Sequence, residues 1–394
     1  MPLTAEQFAP VWERYRYNFM RYLTAISRHA ERRAMERLLE RGHPRLAMNF
    51  AAPLSLLAAR PLRLTELADA LGASKQLCLQ SLKPIEQAGY IRREPDPQDK
   101  RARLVTLTDS GQQLIQHAFE EMQAIQDDYE ARIGPARVKA LDECLRGAAQ
   151  AMQVPGEGLR RDRGLPVPAR LSPLSRNLQE RLMTLTASQG HNLQYSFAQV
   201  LSAIDLNGTP VAALAQLNGV TTQAISRIAG ELESQGYIER STSGSDRRAR
   251  HIFFTPRGLE LIRDSVTSVQ RLGSELSESL GKKGLLEMEA LARQLYEALA
   301  LESGLLKPFA PAADCRLFKG DAATAAPRRP SSQAMLLFLA EQIDADLLQR
   351  TNDLITLREN PSCSSRDVNA LEDTLSPGQH EQLRHLLSRL SGDE

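Results

Sequence analysis

The chain has 394 residues, 42% hydrophobic and 25% charged, with 49 Lys+Arg against 48 Asp+Glu and a formal net charge of +1. That size and composition suit two or three packed domains and exclude a mostly disordered chain. A balanced total also excludes a globally basic or acidic protein, so a surface for a charged partner must come from local clustering.

Several classes fall away at once. No run approaches the ~20 consecutive apolar residues that a membrane helix needs. Residues 1–20 carry charges where an export signal needs an apolar stretch, so the expected address is the cytoplasm. Cys78, Cys144, Cys315 and Cys363 lie far apart, and His380 and His385 are five apart, off a common helix face. No disulfide framework, metal site or cofactor is expected. A phosphate-cradling glycine loop and a nucleophile elbow are missing from the string, so an enzyme is not expected.

Charge is segregated along the chain. Residues 92–103 carry a net +2 and residues 240–250 a net +3, whereas residues 331–394 hold five Arg against eleven Asp/Glu, a net −6. The two basic stretches belong to a repeat. A shift of 147 positions aligns residues 50–115 with 197–262 without a gap, giving 21 identities over 66 positions. The period is too long for a solenoid, so each copy is a domain in its own right.

In chain order, residues 8–22 come first and hold six aromatics. Trp12, Tyr15, Phe19 and Tyr22 fall on one helical stripe. Two readings are open: a helix packed into a helical base, or an aromatic wall for a small hydrophobic effector, with Arg14, Arg16 and Arg21 beside it for an anionic one.

The first repeat follows within a module spanning 1–153. Thr65 to Ala70 is a short helix ended by Gly72. Ser74 then caps a second helix with Leu77, Cys78, Ser81, Leu82 and Ile85 on its buried side. Pro84 removes a backbone hydrogen bond there and is expected to kink or loosen the helix. Gly89 closes it, Tyr90 to Arg93 form a strand, Pro95 to Lys100 a turn-rich tip, and Arg103 to Leu107 the returning strand. A long helix starts at Asp109. Cys78 reads as a small buried apolar residue rather than an oxidant sensor.

Residues 154–174, rich in Pro, Gly and Arg, read as a linker. The second module, 175–302, repeats the pattern with Val211 to Leu217, Thr221 to Gln235, Tyr237 to Arg240 and His251 to Phe254. Helix, glycine turn, helix and β-hairpin make a winged helix-turn-helix. The expected fold is therefore mainly α with small β-hairpin wings: two such modules on a helical base. Residues 303–332 read as a second linker, and 333–394 as a C-terminal helical segment whose acidity argues against DNA contact.

A reader helix presents polar side chains from its N-terminal turn to base edges. In the second module that face is Thr222, Gln223, Ser226 and Arg227; in the first it is Lys75, Gln76, Gln80 and Lys83, with Leu79 standing where Ser226 stands. The second is expected to read bases better. A hairpin tip suits the narrow minor groove, where negative potential attracts guanidinium. That assigns Arg101 and Arg248 to the groove, Arg103 and Arg250 to a neighbouring position, and Lys100 and Arg247 to the phosphates.

The strings LTELADALGASKQLCLQSLKPIEQAGYIRREPDPQDKRARLVTLTDSGQQLI and VAALAQLNGVTTQAISRIAGELESQGYIERSTSGSDRRARHIFFTPRGLELI resemble the MarR family of bacterial transcription regulators. The resemblance covers about 45–155 and 190–302. It implies a DNA-binding regulator, more often a repressor, released by a small effector bound between base and readers. It also implies that Asp99 and Asp246 orient the wing arginines. Family members pair through terminal helices, so two modules in one chain resemble a fused dimer covering an imperfect palindrome, with readers roughly 34–36 Å apart. The string LSPGQHEQLRHLLSRL is similar to the family's last helix, so the tail either joins chains by self-association or caps the second module. The rival reading is a ligand-sensing or protein-interaction module of the same fold that has lost DNA binding.

Overall fold

A computed structural model describes residues 5–99, 102–157, 164–218, 220–243 and 246–301. The C-terminal helices expected over 333–394, and the linker before them, lie outside the described residues. The described residues fall in two units, residues 5–13 in the smaller and residues 14–301 in the larger.

Helix α1 spans Ala5–Arg16 and α2 Phe19–Glu40, started by Asn18, whose side chain accepts the N–H of Arg21 at 3.0 Å. The first winged module then runs through α3 (Ala51–Leu57), β1 (Leu62–Arg63), α4 (Leu64–Leu71), α5 (Lys75–Gln87), β2 (Ile91–Pro95) and β3 (Arg103–Leu107). Helices α6 (Asp109–Ile133) and α7 (Pro135–Ala151) return the chain to the base. The second module repeats the order: α8 (Val167–Ser188), α9 (Tyr195–Leu201), β4 (Thr209–Pro210), α10 (Val211–Asn218), α11 (Thr222–Ser234), β5 (Ile238–Ser243) and β6 (Asp246–Phe254). Helix α12 (Pro256–Ala298) closes the described chain as two runs joined at Gly281, whose φ is 73°.

The repeat extends beyond the block of identities. Gly134, at φ 90°, separates α6 from α7, and Gly281 stands 147 residues later at the equivalent break in α12. A left-handed φ suits glycine at both hinges. Helix α8 begins inside the stretch read as linker: Pro168 falls in its first turn, where a missing N–H costs nothing, and Pro173 is tolerated further along.

Each wing is a three-stranded antiparallel sheet, in order β1-β3-β2 and β4-β6-β5. In the first, Ile91 faces Leu107 and Pro95 faces Arg103. In the second, Ile238 faces Phe254, with a register shift between Thr242 and Ser243. The first module's core contains Phe50, Leu54, Leu67, Cys78, Leu82, Ile85, Tyr90, Ile91, Val105 and Leu114. Leu214, Ile225, Leu232, Tyr237, Ile238, Ile252 and Leu261 are buried in the second.

A separate core joins α2, α6, α7, α8 and α12, with Leu23, Ile26, Tyr129, Leu141, Leu145, Leu171, Leu174, Leu272, Leu276 and Leu295 in its centre. At the crossing of α2 and α8, Gln179 donates to the Thr24 hydroxyl at 3.1 Å and Ser172 donates to Glu31. Arg170, 3% exposed, is held within the same base by Asp142 at 2.8 Å and Glu157 at 3.2 Å. A charge so deeply buried needs both partners. Among the described residues, no helix is long and apolar enough to cross a membrane.

Candidate nucleic-acid interface

Ser74 and Thr221 start the two candidate reader helices. The Ser74 hydroxyl accepts the N–H of Leu77, and that of Thr221 the N–H of Ala224, each at 3.2 Å. Each thereby satisfies one of the donors orphaned at a helix start. Lys75, Gln76, Gln80 and Lys83 on α5 are exposed, as are Thr222, Gln223, Ser226 and Arg227 on α11. On the opposite side, Cys78, Leu82 and Ile85 are buried, matching Ile225, Ala229 and Leu232. Burial pushes the Cys78 thiol up, away from the reactive thiolate.

One expectation for α5 changes. Leu77 is not on the buried side: it is 57% exposed, and Leu79 is 38% exposed. At about 100° per residue, Leu77 stands some 100° from Cys78, enough to turn it out of the core. The helix runs on past Pro84 to Gln87, with Ala88 donating to the Pro84 carbonyl at 2.9 Å. Pro84 and Gln80, whose carbonyl it leaves without a helical partner, are both exposed.

Matching contacts fix each wing to its reader. Arg93 in β2 grips Glu86 in the last turn of α5, through Nε at 3.0 Å and Nη2 at 2.6 Å. Arg240 in β5 grips Glu233 of α11, through Nε at 2.8 Å and Nη2 at 2.5 Å. Thr108 donates to the Gly89 carbonyl and accepts the N–H of Gly111; Thr255 does the same with Gly236 and Gly258. The Thr-x-x-Gly signature thus ties the end of the reader helix to the start of the following one.

The tip of the first wing turns through Asp99, whose N–H donates to the Asp96 carbonyl and whose own carbonyl accepts the N–H of Ala102 at 2.8 Å. Lys100 and Arg101 lie outside the described residues. Arg103 is exposed at the start of β3. The backbone of Asp246, Arg247, Arg248 and Arg250 runs in β6, while their side chains are outside the described set.

Sequence reasoning missed a different acid. Asp96 is buried where β2 enters the tip of the wing and binds Arg63 through Nε at 2.7 Å and Nη2 at 2.6 Å. The N–H of Gln98, and after it the Arg63 guanidinium, hold the Asp96 carboxyl below its usual range. Pro210 and Ser243 occupy the equivalent positions, so the repeat alignment carried no signal for this pair.

Also missed was a histidine at the foot of each module. His43 lies tilted against Tyr90, centroids 6.1 Å apart, and its Nε2 lies 2.8 Å from Nδ1 of His117. His191 meets Tyr237 at 5.7 Å and its Nε2 lies 3.0 Å from Asp264. His117 and Asp264 are 147 apart, but His43 and His191 are 148 apart, which hid them from a gapless alignment.

The four aromatics read as a possible effector wall are not all placed alike. Phe19 and Tyr22 pack in the base core, with the Tyr22 ring 5.2 Å from that of Tyr296. Burial pushes the Tyr15 phenol up to about 12. Trp12 falls in the smaller unit.

The MarR family model matches residues 54–102 and 191–249. The transcriptional repressor MprA of Escherichia coli K12 is 29% identical over 119 residues, which cover 30% of this chain and 58% of MprA; that of Escherichia coli O157:H7 matches equally. The match therefore spans just over half the length of these curated relatives. Among solved structures, a MarR-family transcriptional regulator from Rhodococcus sp. RHA1 is 19% identical, with a TM-score of 0.29 over 34% of this chain and 93% of its own. YusO from Bacillus subtilis is 19% identical, with a TM-score of 0.28 over 36% of this chain and 97% of its own. Each of the two winged helix-turn-helix modules thus contains a segment that matches the MarR family.

Proposed function

We propose that this chain is a sequence-specific, double-stranded DNA-binding transcription repressor whose single polypeptide acts as a pseudo-dimer. Helices α5 and α11 enter successive major grooves, and the two wings reach the flanking minor grooves with Arg101, Arg103, Arg248 and Arg250. Lys100 and Arg247 neutralise phosphates.

One observation carries the reading: the same exposed polar helix, capped alike and clamped to its wing by the same Glu–Arg pair, is built twice. The base supports the paired arrangement. Helices α2 and α8 are 148 residues apart in the repeat, which makes Ser172 the counterpart of Thr24 and Gln179 that of Glu31. The Gln179–Thr24 and Ser172–Glu31 contacts therefore join the same two positions reciprocally. Reciprocal contact of this kind is the mark of an isologous, twofold interface, here within one chain.

The test is to select duplex fragments from genomic DNA on the full chain and measure affinity against salt for the best one. Binding whose logarithm falls steeply with the logarithm of salt, and which is lost in the double variant Arg101→Ala, Arg248→Ala, supports the reading. Unchanged affinity in that variant, or no duplex selected, favours a module of the same fold that does not use DNA.

A further inference from the structure

The two readers present different surfaces. On α11 the positions flanking the polar strip are Ala224 and Ser226; on α5 they are Leu77 and Leu79, 57% and 38% exposed. At about 100° per residue, Gln76, Gln80 and Lys83 form the middle of the outward face of α5, and the two leucines border it on either side. The core beneath α5 is filled by Cys78, Leu82 and Ile85, and the two leucines, Leu77 the more so, present apolar surface to solvent.

We infer that Leu77 and Leu79 read thymine methyl groups, making the first module selective for a thymine-rich half-site that differs from the one read by the second. The inference rests on the DNA-binding function proposed above. Nucleic acid is the occupant that fits the charges around the pair. Lys75 and Lys83 border it, and the one acid on the helix, Glu86, is bound by Arg93. In the major groove the C5-methyl of thymine is the apolar group that base pairs offer to a side chain. A leucine that leaves water against a methyl gains burial on both surfaces. Leu77 lies in the first turn of α5, the part of a reader helix that meets base edges, with its N–H held by Ser74. The second module, with Gln223 and Arg227 beside Ala224 and Ser226, reads by hydrogen bonds instead. The preferred operator is therefore an asymmetric pair of half-sites rather than a true palindrome.

The experiment uses the full chain and a duplex selected from genomic DNA, in which thymine is replaced by deoxyuridine one half-site at a time. Base pairing is kept and only the methyl is removed. Wild type is expected to lose about four-fold in affinity per contacted methyl in one half-site. Leu77→Ala with Leu79→Ser, the residues of the second module, is expected to bind thymine and deoxyuridine duplexes equally. Leu79→Ser alone, with circular dichroism as a check on folding, is expected to remove part of the difference. Equal wild-type affinity for all substituted duplexes overturns the inference while leaving duplex binding intact, as does a methyl effect that persists in the double variant. A chain that selects no duplex overturns the underlying function instead.

Discussion

Arg93 holds Glu86 with two nitrogens of one guanidinium, at 3.0 and 2.6 Å, and so fixes the first strand of the wing to the last turn of the reader helix. The pair is partly exposed, 36% and 31%, so its value is that of a well-aligned surface pair rather than a buried one. Glu86→Gln is expected to cost about 0.5–1 kcal/mol, and Glu233→Gln about the same, because two-point guanidinium contacts sit at the upper end of the surface range. The pairs share no partner, so the double variant should lose about the sum. Urea unfolding of the three variants measures this. A double variant no less stable than wild type contradicts it.

Acid should weaken the first module. His43 is buried, and burial first, then the charges of His117 and Arg41, push its pKa below the usual value of about 6.5. Arg41 is itself drawn to Glu120 and Glu121, and the ring of Tyr90 offers His43 no charge. Because the folded pKa lies below the unfolded one, the unfolded chain takes up a proton that the folded chain refuses. Stability present above pH 6.5 is therefore lost as pH falls from there toward the folded pKa. His29, also lowered mainly by burial, acts in the same direction. Thermal unfolding at pH 7.5 and 5.5 should show a lower midpoint at pH 5.5. His117→Asp gives His43 the carboxylate that His191 has in Asp264, and should reduce the difference. A midpoint independent of pH in wild type rules the effect out.

The glycines of the Thr-x-x-Gly signature are needed for space rather than for backbone freedom. A Cβ at Gly111 would stand 2.0 Å from the Tyr90 carbonyl oxygen, and one at Gly258 2.2 Å from that of Tyr237. Both obstacles are backbone, which cannot turn aside as a side chain can. Gly111→Ala and Gly258→Ala are each expected to cost about 3 kcal/mol or more, in the range of overpacked sites and broken networks. Soluble yield and unfolding midpoints check this, with Gly230→Ala as a comparison, since a Cβ there would meet only the end of the Arg240 side chain, 3.9 Å away.

Both modules, their caps and their wings were legible in the sequence because local rules dictate them. Ser74 as an N-cap and Gly72 at φ 64° need no tertiary information. Leu77 misled because an apolar residue in the first turn reads as core when the angle to Cys78 is not followed around the helix. The start of α8 was hidden by its prolines, which serve well in and near a first turn. The Asp96–Arg63 pair spans 33 residues, and nothing short of the folded wing brings the two together.

The second reader carries its own competitor. Arg227, 72% exposed, is 3.1 Å from Glu231 one turn later. An exposed i,i+4 pair of this kind is worth about 0.3–0.5 kcal/mol. If Arg227 meets a guanine edge, the base that suits a guanidinium, it must leave Glu231 to do so, and Glu231 then remains close to DNA phosphates as a like charge. Arg227→Ala is expected to weaken duplex binding by about 1–3 kcal/mol and to relax the preference at one base position. Glu231→Gln should act the other way, tightening binding about two-fold by freeing the arginine and removing the repulsion. The first module makes no such trade, since Pro84 stands where Glu231 does. Titration of one selected duplex with the three proteins, at two salt concentrations, reads both effects. Weaker binding by Glu231→Gln would mean that Glu231 positions Arg227 rather than competing for it.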